Sequence, residues 1–441
     1  MQYLPNILFA IILVIGIGFF VRNIKKLARN IRLGKNVDVN DNKPQRWKNM
    51  TKIALGQTKM VVRPIPGILH LLVYVGFIII NLEVLEIVID GLLGTHRIFA
   101  PLGSVYNLLI ASFEVLALLV IIAVVLFWIR RNIIKLQRFI KPEMKGWPKN
   151  DANLILYIEV VLMLLFLTMN GADFQLQQLN APHYIQAGSF PISQFYTSFF
   201  DGMSIQSLIL IERTAWWLHI VGILFFLNYL YYSKHLHILL AFPNTYFGKL
   251  DVKGKLNNLD TVTKEVMLMM DPDADPYAAP AEDAQEPEKF GASDVTDLNW
   301  VQLLNAYTCT ECGRCTSECP ANLTGKNLSP RKIMMDTRDR LEEVGKNLDS
   351  NKGEFKDDGK QLLDDYITRE ELWACTTCNA CTEACPVSID PLSIIMDMRQ
   401  YLVMEQSAAP SDLNNMMGNI ENNGAPWPFN QMDRLNWKDE S

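Results

Sequence analysis

Cysteine is absent from the first 308 of the 441 residues and from the last 56. With every thiol confined to the stretch between, no disulfide framework staples the rest of the chain. No GxxxxGK[ST] loop, GxGxxG fingerprint or GxSxG elbow occurs either. Nucleotide binding and acyl transfer therefore have no carrier, and substrate chemistry is expected on another polypeptide. Lysine and arginine are missing from 171–211, and the formal net charge is −6. No nucleic acid is expected as a partner of a chain with this net charge.

What is present is one pattern written twice. Cys309-x2-Cys312-x2-Cys315-x3-Cys319-Pro320 recurs as Cys375-x2-Cys378-x2-Cys381-x3-Cys385-Pro386, and no cysteine is left over. This is the ligand spacing of a pair of 4Fe-4S clusters, which carry single electrons. Thiolate also selects zinc, but structural zinc sites take two ligands from each of two distant knuckles. Here three cysteines fall within seven residues and a fourth follows. In two-cluster ferredoxins with this run, the first three cysteines hold one cluster and the fourth ligates the other. Cys309, Cys312, Cys315 and Cys385 are accordingly expected at one cluster, and Cys375, Cys378, Cys381 and Cys319 at the second.

The 55 residues between the runs read as helix. Ser329 caps a helix that starts at Pro330, continues over 331–344 and closes at Gly345. A second stretch covers about 360–374, and Asp297 is expected to cap a helix over 298–307. Helical connections predict an α-helical ferredoxin rather than the small β-rich type.

Five apolar runs, at about 3–21, 66–89, 102–128, 154–169 and 215–240, are candidate bilayer spans. The expected fold class is all-α: a five-span transmembrane bundle followed by a cytoplasmic α-helical ferredoxin domain carrying two 4Fe-4S clusters. Residues 22–63 contain twelve lysines and arginines and 130–149 seven, against Arg97 alone in 90–101. Positive residues flank cytoplasmic ends. The N-terminus is therefore expected outside the cell (inner) membrane, with every cysteine in the reducing cytoplasm. Residues 1–242 form the expected membrane domain, 243–295 an acidic proline-containing linker, 296–405 the ferredoxin domain and 406–441 an extended partner-docking tail. Trp216, Trp217, Tyr231 and Tyr232 read as interfacial belts at the two ends of the fifth span.

Of the six histidines, His70, His219, His235 and His237 lie in or at the ends of spans. Ionisable groups in a bilayer mark functional sites, and histidine is an axial ligand of haem. On one continuous helix, the eighteen steps from His219 to His237 place both on one face about 27 Å apart, with His235 nearly opposite. His70 and His237 share a depth near the cytoplasmic end and are expected to hold one b-type haem. The alternative for His235 and His237 is an interfacial position beside Lys234. His219 faces no histidine on the second span, where Asn81 and Val88 occupy the matching face. It is left with three readings: ligand of a second haem with help from another segment, quinone-site residue, or hydrogen-bonded structural side chain. Glu83, Glu86, Asp90, Glu114 and Glu159 either relay protons at a quinone site or are paired carboxylates.

Three segments, Gly67-Ile-Leu-His70-Leu-Leu-Val-Tyr-Val-Gly76-Phe77, Trp216-Trp-Leu-His219 and Ser233-Lys-His235-Leu-His237, resemble the cytochrome b (gamma) subunit of respiratory nitrate reductase. Two-haem members of that family carry a second histidine ten residues after the first, where this chain has Ile80. The resemblance thus implies one haem at His70 and His237, with an outer one in question. The run Tyr307-Thr-Cys309-Thr-Glu-Cys312-Gly-Arg-Cys315 resembles the iron-sulfur arm of heterodisulfide-reductase-type proteins. The tail from Arg399 through Pro426-Trp427 to Trp437 resembles the segment that leads, in longer relatives, into cysteine-rich catalytic repeats. Together these resemblances imply an electron-transfer subunit working between the quinone pool and a separate cytoplasmic heterodisulfide-reductase-like or dehydrogenase subunit. They leave the direction of flow open. The competing expectation is a non-catalytic membrane anchor or redox sensor of a larger respiratory complex.

Overall fold

The computed structural model describes residues 3–252, 254–256, 258–272 and 289–439, so the acidic stretch 273–288 of the expected linker lies outside it. Among the described residues there are helices and no strands, only two isolated backbone bridges. Five long helices dominate: α1 (Leu4–Ile31), α2 (Pro64–Leu93), α3 (Ser104–Asn132), α4 (Trp147–Gln178) and α5 (Ile205–Tyr229). All five are long and apolar enough to cross a membrane, the fifth counted on to Tyr232. At 1.5 Å per residue each runs about 40–48 Å, beyond the ~30 Å hydrocarbon core, so both ends project into the interfaces. Proline in the first turn starts α1, α2 and α4, and the Ser204 hydroxyl caps α5 by accepting from the Ser207 amide at 3.2 Å.

Consecutive long helices pack side by side and α5 returns against α1, closing a ring. Its centre is filled by Phe9, Ile110, Ala117, Phe166, Leu167 and Ile220. The fifth span departs from expectation. It begins at Ile205 and ends near Tyr232, ten residues before the apolar run at 215–240 suggests at its start and eight before it at its end. Ser233 is extended (φ −117°, ψ 146°) and its side chain caps a single 3-10 turn, Lys234–Leu236, after which α6 (His237–Tyr246) sets off anew. His237 and His219 are therefore not on one helix, and the wheel that placed His235 opposite them does not apply. Trp216 is buried against Phe9, and Trp217 beside it is half-buried.

The cysteine domain sits on one end of the ring, called here the near face. It contains α7 (Trp300–Thr308), α8 (Pro330–Ser350) and α9 (Pro391–Met404) around the cysteine runs. Asn299, not Asp297, caps α7, while Asp297 closes a capping box with Asp294 one turn earlier. Gly345 lies inside α8. It is needed because an added Cβ there would meet the Asn30 side chain at 2.5–2.8 Å. The stretch expected as helix over 360–374 breaks at Asp364 (φ 72°), and only Arg369–Ala374 is helical, started by a Thr368–Glu371 capping box. The expected extended tail contains α10 (Ser411–Asn423), with no buried residue.

The two halves share a core and a charged seam. Leu27, Leu230, Leu236 and Leu240 from the membrane half pack in one cluster with Leu303, Leu304, Ile333 and Val344. Arg314 donates to the backbone oxygens of Lys59 and Met60, both at 3.0 Å. Arg331, wholly buried on α8, donates to Arg138 O and to Glu143, both at 2.6 Å, tying the loop between α3 and α4 to the domain. Removing one member of a buried ion pair typically costs about 3–5 kcal/mol because the other charge is stranded. Arg331→Ala should therefore loosen the seam by about 3 kcal/mol, seen as faster amide exchange over 137–144. Unchanged exchange there would show that this pair does not fasten the halves.

Candidate functional site

The near face gathers histidines and cysteines from both halves. His70 stands in the second turn of α2 and His237 at the start of α6, with ring centroids 6.4 Å apart and planes at 42°. Two imidazoles on opposite sides of one iron, each nitrogen about 2 Å from the metal, place ring centres roughly 6 Å apart. The pair fits that arrangement. His237 Nδ1 is held by the Lys234 carbonyl at 3.0 Å, which orients its ring and leaves Nε2 available. His70 Nδ1 is buried with no partner, an unmet polar need of about 1–3 kcal/mol.

His235 lies beside this pair, 5.5 Å from the His237 ring and 5.3 Å from that of Phe226, with Nε2 3.8 Å from Glu159. His219 is elsewhere. It is buried at mid-length in α5, hydrogen-bonded through Nδ1 to Leu162 O at 3.0 Å and set against Phe166. The structure thus brings His70, His235 and His237 together and leaves His219 apart.

All eight cysteines are free. A small cavity is lined by Cys309, Cys312, Cys315, Cys381 and Cys385. Burial, then the thiols of Cys312, Cys309, Cys385 and Cys381, push the Cys315 thiol well above its ordinary value. Burial likewise pushes Cys309 up to about 12 and Cys385 to about 11. Cys375, raised first by burial, has Cys319 and Cys378 among its neighbours. A metal centre takes cysteine as thiolate, and sulfurs gathered in this way are a donor set that fits one. Backbone amides of Thr377 and Ile389 point at the sulfurs of Cys375 and Cys385 at 3.4 and 3.3 Å, contacts that tune a cluster's potential. Cys309, Cys319 and Cys385 are buried, whereas Cys378 is exposed. The first run faces the membrane half and the second faces outward.

At the opposite, far end of the ring lies a cavity of about 410 Å³. Phe9, Ile87, Met169, Trp216 and Trp217 form its apolar walls, and Glu83, His96, Arg97, Asp173 and His183 its polar ones. Arg97 donates to Asp173 at 2.6 Å and to Tyr106 at 3.0 Å, His96 contacts Asp173 at 3.1 Å, and Tyr106 donates to Glu86 at 2.9 Å. Asp90 accepts from the Arg97 amide, and Glu114 from the amides of Ile192 and Ser193. Those carboxylates are structurally satisfied. Glu83 is not: it is 3 % exposed and its Oε2 has no partner.

Sequence reasoning singled out Glu83 but missed His96, Arg97, Asp173 and His183. The available signal was Arg97, the lone cation in a far-side loop otherwise free of them, and Asp173 at the end of an apolar helix.

Residues 308–389 match the 4Fe-4S dicluster domain family. The chain is 30% identical to the "Probable iron-sulfur-binding oxidoreductase FadF" of Bacillus subtilis over 99% of its own length and 61% of that protein's. It is 25% identical to the "EtfAB:quinone oxidoreductase" of Syntrophomonas wolfei over 91% of its own length and 55% of that protein's. A "Probable membrane-anchored ferredoxin" of Chromohalobacter salexigens is 33% identical over 35% of this chain and 25% of its own. Shorter matches run to subunits C and D of methanogen heterodisulfide reductases. The chain therefore spans little more than half the length of the first two relatives. No solved structure matches it. Its homologues are iron-sulfur oxidoreductases and heterodisulfide reductase subunits, and it carries their 4Fe-4S dicluster domain.

The grouping of sulfurs makes a direct prediction. Cys385→Ser should cost the cluster that resists a bulky chelator, because its thiol sits with the buried first run, and Cys319→Ser the accessible one. Loss in the reverse order, read by paramagnetic resonance of the surviving cluster, would show that each run ligates its own.

Proposed function

We propose that the chain is a membrane-bound electron-transfer subunit, exchanging electrons between the quinone pool and a cytoplasmic redox partner. One b-type haem is held by His70 and His237, one 4Fe-4S cluster by Cys309, Cys312, Cys315 and Cys385, and a second by Cys375, Cys378, Cys381 and Cys319. The observation that carries this reading is convergence. The 6.4 Å histidine pair and the first cysteine run come from different halves of the chain, and Lys234 links them, its carbonyl on His237 and its side chain on Glu311. When bound, haem and clusters supply one-electron carriage, which none of the side chains can.

The protein's own groups position and insulate. The Lys234 carbonyl fixes the His237 ring, and Arg314 locks the first run to the loop before α2. Exposure of Cys378 presents the second run to a partner, a cysteine-rich heterodisulfide-reductase-like or dehydrogenase subunit. The near face carries the lysine- and arginine-rich loops, which supports its assignment to the cytoplasm. Quinone as the other substrate is supported by the name of the Syntrophomonas wolfei relative and by the far-end cavity. Its volume and aromatic walls suit a flat headgroup. Glu83 offers the proton that a quinone oxygen exchanges on reduction. His219, hydrogen-bonded and without a second histidine, supports the structural reading of that residue.

A short-chain quinol added to membranes holding the chain should reduce both the haem absorption and the cluster signals. Centres that stay oxidised with quinol, and stay reduced with quinone, would end the proposal. His70→Ala and His237→Ala should each abolish haem in a pyridine haemochrome assay, while His219→Ala retains it. Retention in either of the first two would refute the ligand assignment. Glu83→Gln should slow quinol-dependent reduction by about 10²-fold, the lower range for a lost acid-base group, with haem and iron content unchanged. An unaltered rate would remove the far-end cavity from the quinone reaction.

A further inference from the structure

Within the first cysteine run, one residue reaches out of the loop to the histidine side. Glu311 lies between Cys309 and Cys312 in the left-handed region (φ 53°), and its side chain is buried. A non-glycine residue there is strained and persists where its surroundings over-determine it. Its two carboxylate oxygens are claimed from two directions. One is ion-paired with Lys234 of the membrane half, and the other accepts from Arg338 of α8 at 2.8 Å.

Lys234 in turn donates from its side chain to Pro148 O at 2.6 Å, lies 3.7 Å from Asp151, and donates its amide to Asp151 at 3.1 Å. Its carbonyl holds His237 Nδ1 at 3.0 Å. A chain of contacts therefore runs from the first cysteine run through one carboxylate and one lysine to the imidazole of His237.

The second run provides an internal comparison. The position equivalent to Glu311 is Thr377, with nearly the same backbone (φ 55°) but a neutral side chain. The loops thus share a conformation at this position, and the first carries two buried charges, Glu311 and Arg314, where the second has Thr377 and Ala380. A buried ion pair holds two surfaces together no better than well-packed apolar groups of similar volume. Its charge, however, acts on a nearby redox centre through weakly screening surroundings.

We propose that Glu311 is a positioning residue, seating the first-run cluster against the His237 loop through Lys234 and holding that cluster's reduction potential down. The inference rests on the cofactor assignment above. Neutralising Glu311 removes one negative charge from a run flanked by Lys234, Arg338 and Arg314. A cluster in less negative surroundings accepts an electron more readily.

The test is a redox titration of both cluster signals by paramagnetic resonance, on the full chain in membranes. Glu311→Gln, and Glu311→Thr copying the second run, should raise the potential of one cluster by at least tenfold in its one-electron equilibrium, or 59 mV. The other cluster should stay in place. Lys234→Met, which leaves the cysteine run intact, should lower the potential of that same cluster. Both signals present and unmoved, or both moved together, would overturn the proposal. If the Glu311 variants lose iron, Lys234→Met decides alone: a fall in one potential supports the role and no change overturns it. A wild-type chain lacking haem would sink the cofactor assignment but leave the cluster shift readable.

Discussion

Buried charge has to be paired, and in this chain several of the pairs cross the boundary between its halves. Arg314, Arg331 and Glu311 belong to the cysteine domain, and each reaches a partner on the membrane half, at Lys59 and Met60, at Glu143 and at Lys234, with Glu311 held also by Arg338 of its own domain. An unpaired member would be stranded at a cost of several kcal/mol, about 3–5 for a broken buried pair. Leu27, Leu230, Leu236 and Leu240 add an apolar layer continuous with the domain's core. The cysteine runs are consequently held in register with the histidines, and electron carriers at both would keep a fixed separation.

The two ends of the ring differ in chemistry as well as in partner. The near end collects His70, His235 and His237 beside thiols and cations. The far end collects carboxylates around Arg97 and Asp173, with one oxygen of Glu83 unused. The clustered histidines and thiols are thereby separated from the carboxylate network along the length of the helices.

Much of this was legible in the order of residues. The five apolar runs, the doubled cysteine spacing and the pairing of His70 with His237 by depth all stand on local signals, and the structure brings the two histidines together. The bounds of the fifth helix were not legible. Hydropathy runs smoothly from Ala215 to Leu240, whereas the backbone yields at Ser233, whose side chain caps the next turn, and Asp151 takes the freed amide of Lys234. That aspartate is some eighty residues away in sequence. Gly345 read as a helix stop because its true reason, the approach of Asn30, comes from the other half. The far-end cavity was invisible for the same reason, since Glu83, His96, Asp173 and His183 come from separate segments. Conversely, Thr368 and Glu371 carried a readable capping box that the apolar pattern over 360–374 concealed.

In the proposed arrangement the His70–His237 pair and both cysteine runs hold their metals on one end of the bundle, joined across a charged seam. Electron cryomicroscopy of the cofactor-loaded chain in a lipid nanodisc tests it most directly. The account predicts haem density between His70 and His237, one cluster on Cys309, Cys312, Cys315 and Cys385, and Glu311 bridging to Lys234 beside it. Haem density at His219, or a cysteine domain detached from the helix ends, would contradict it.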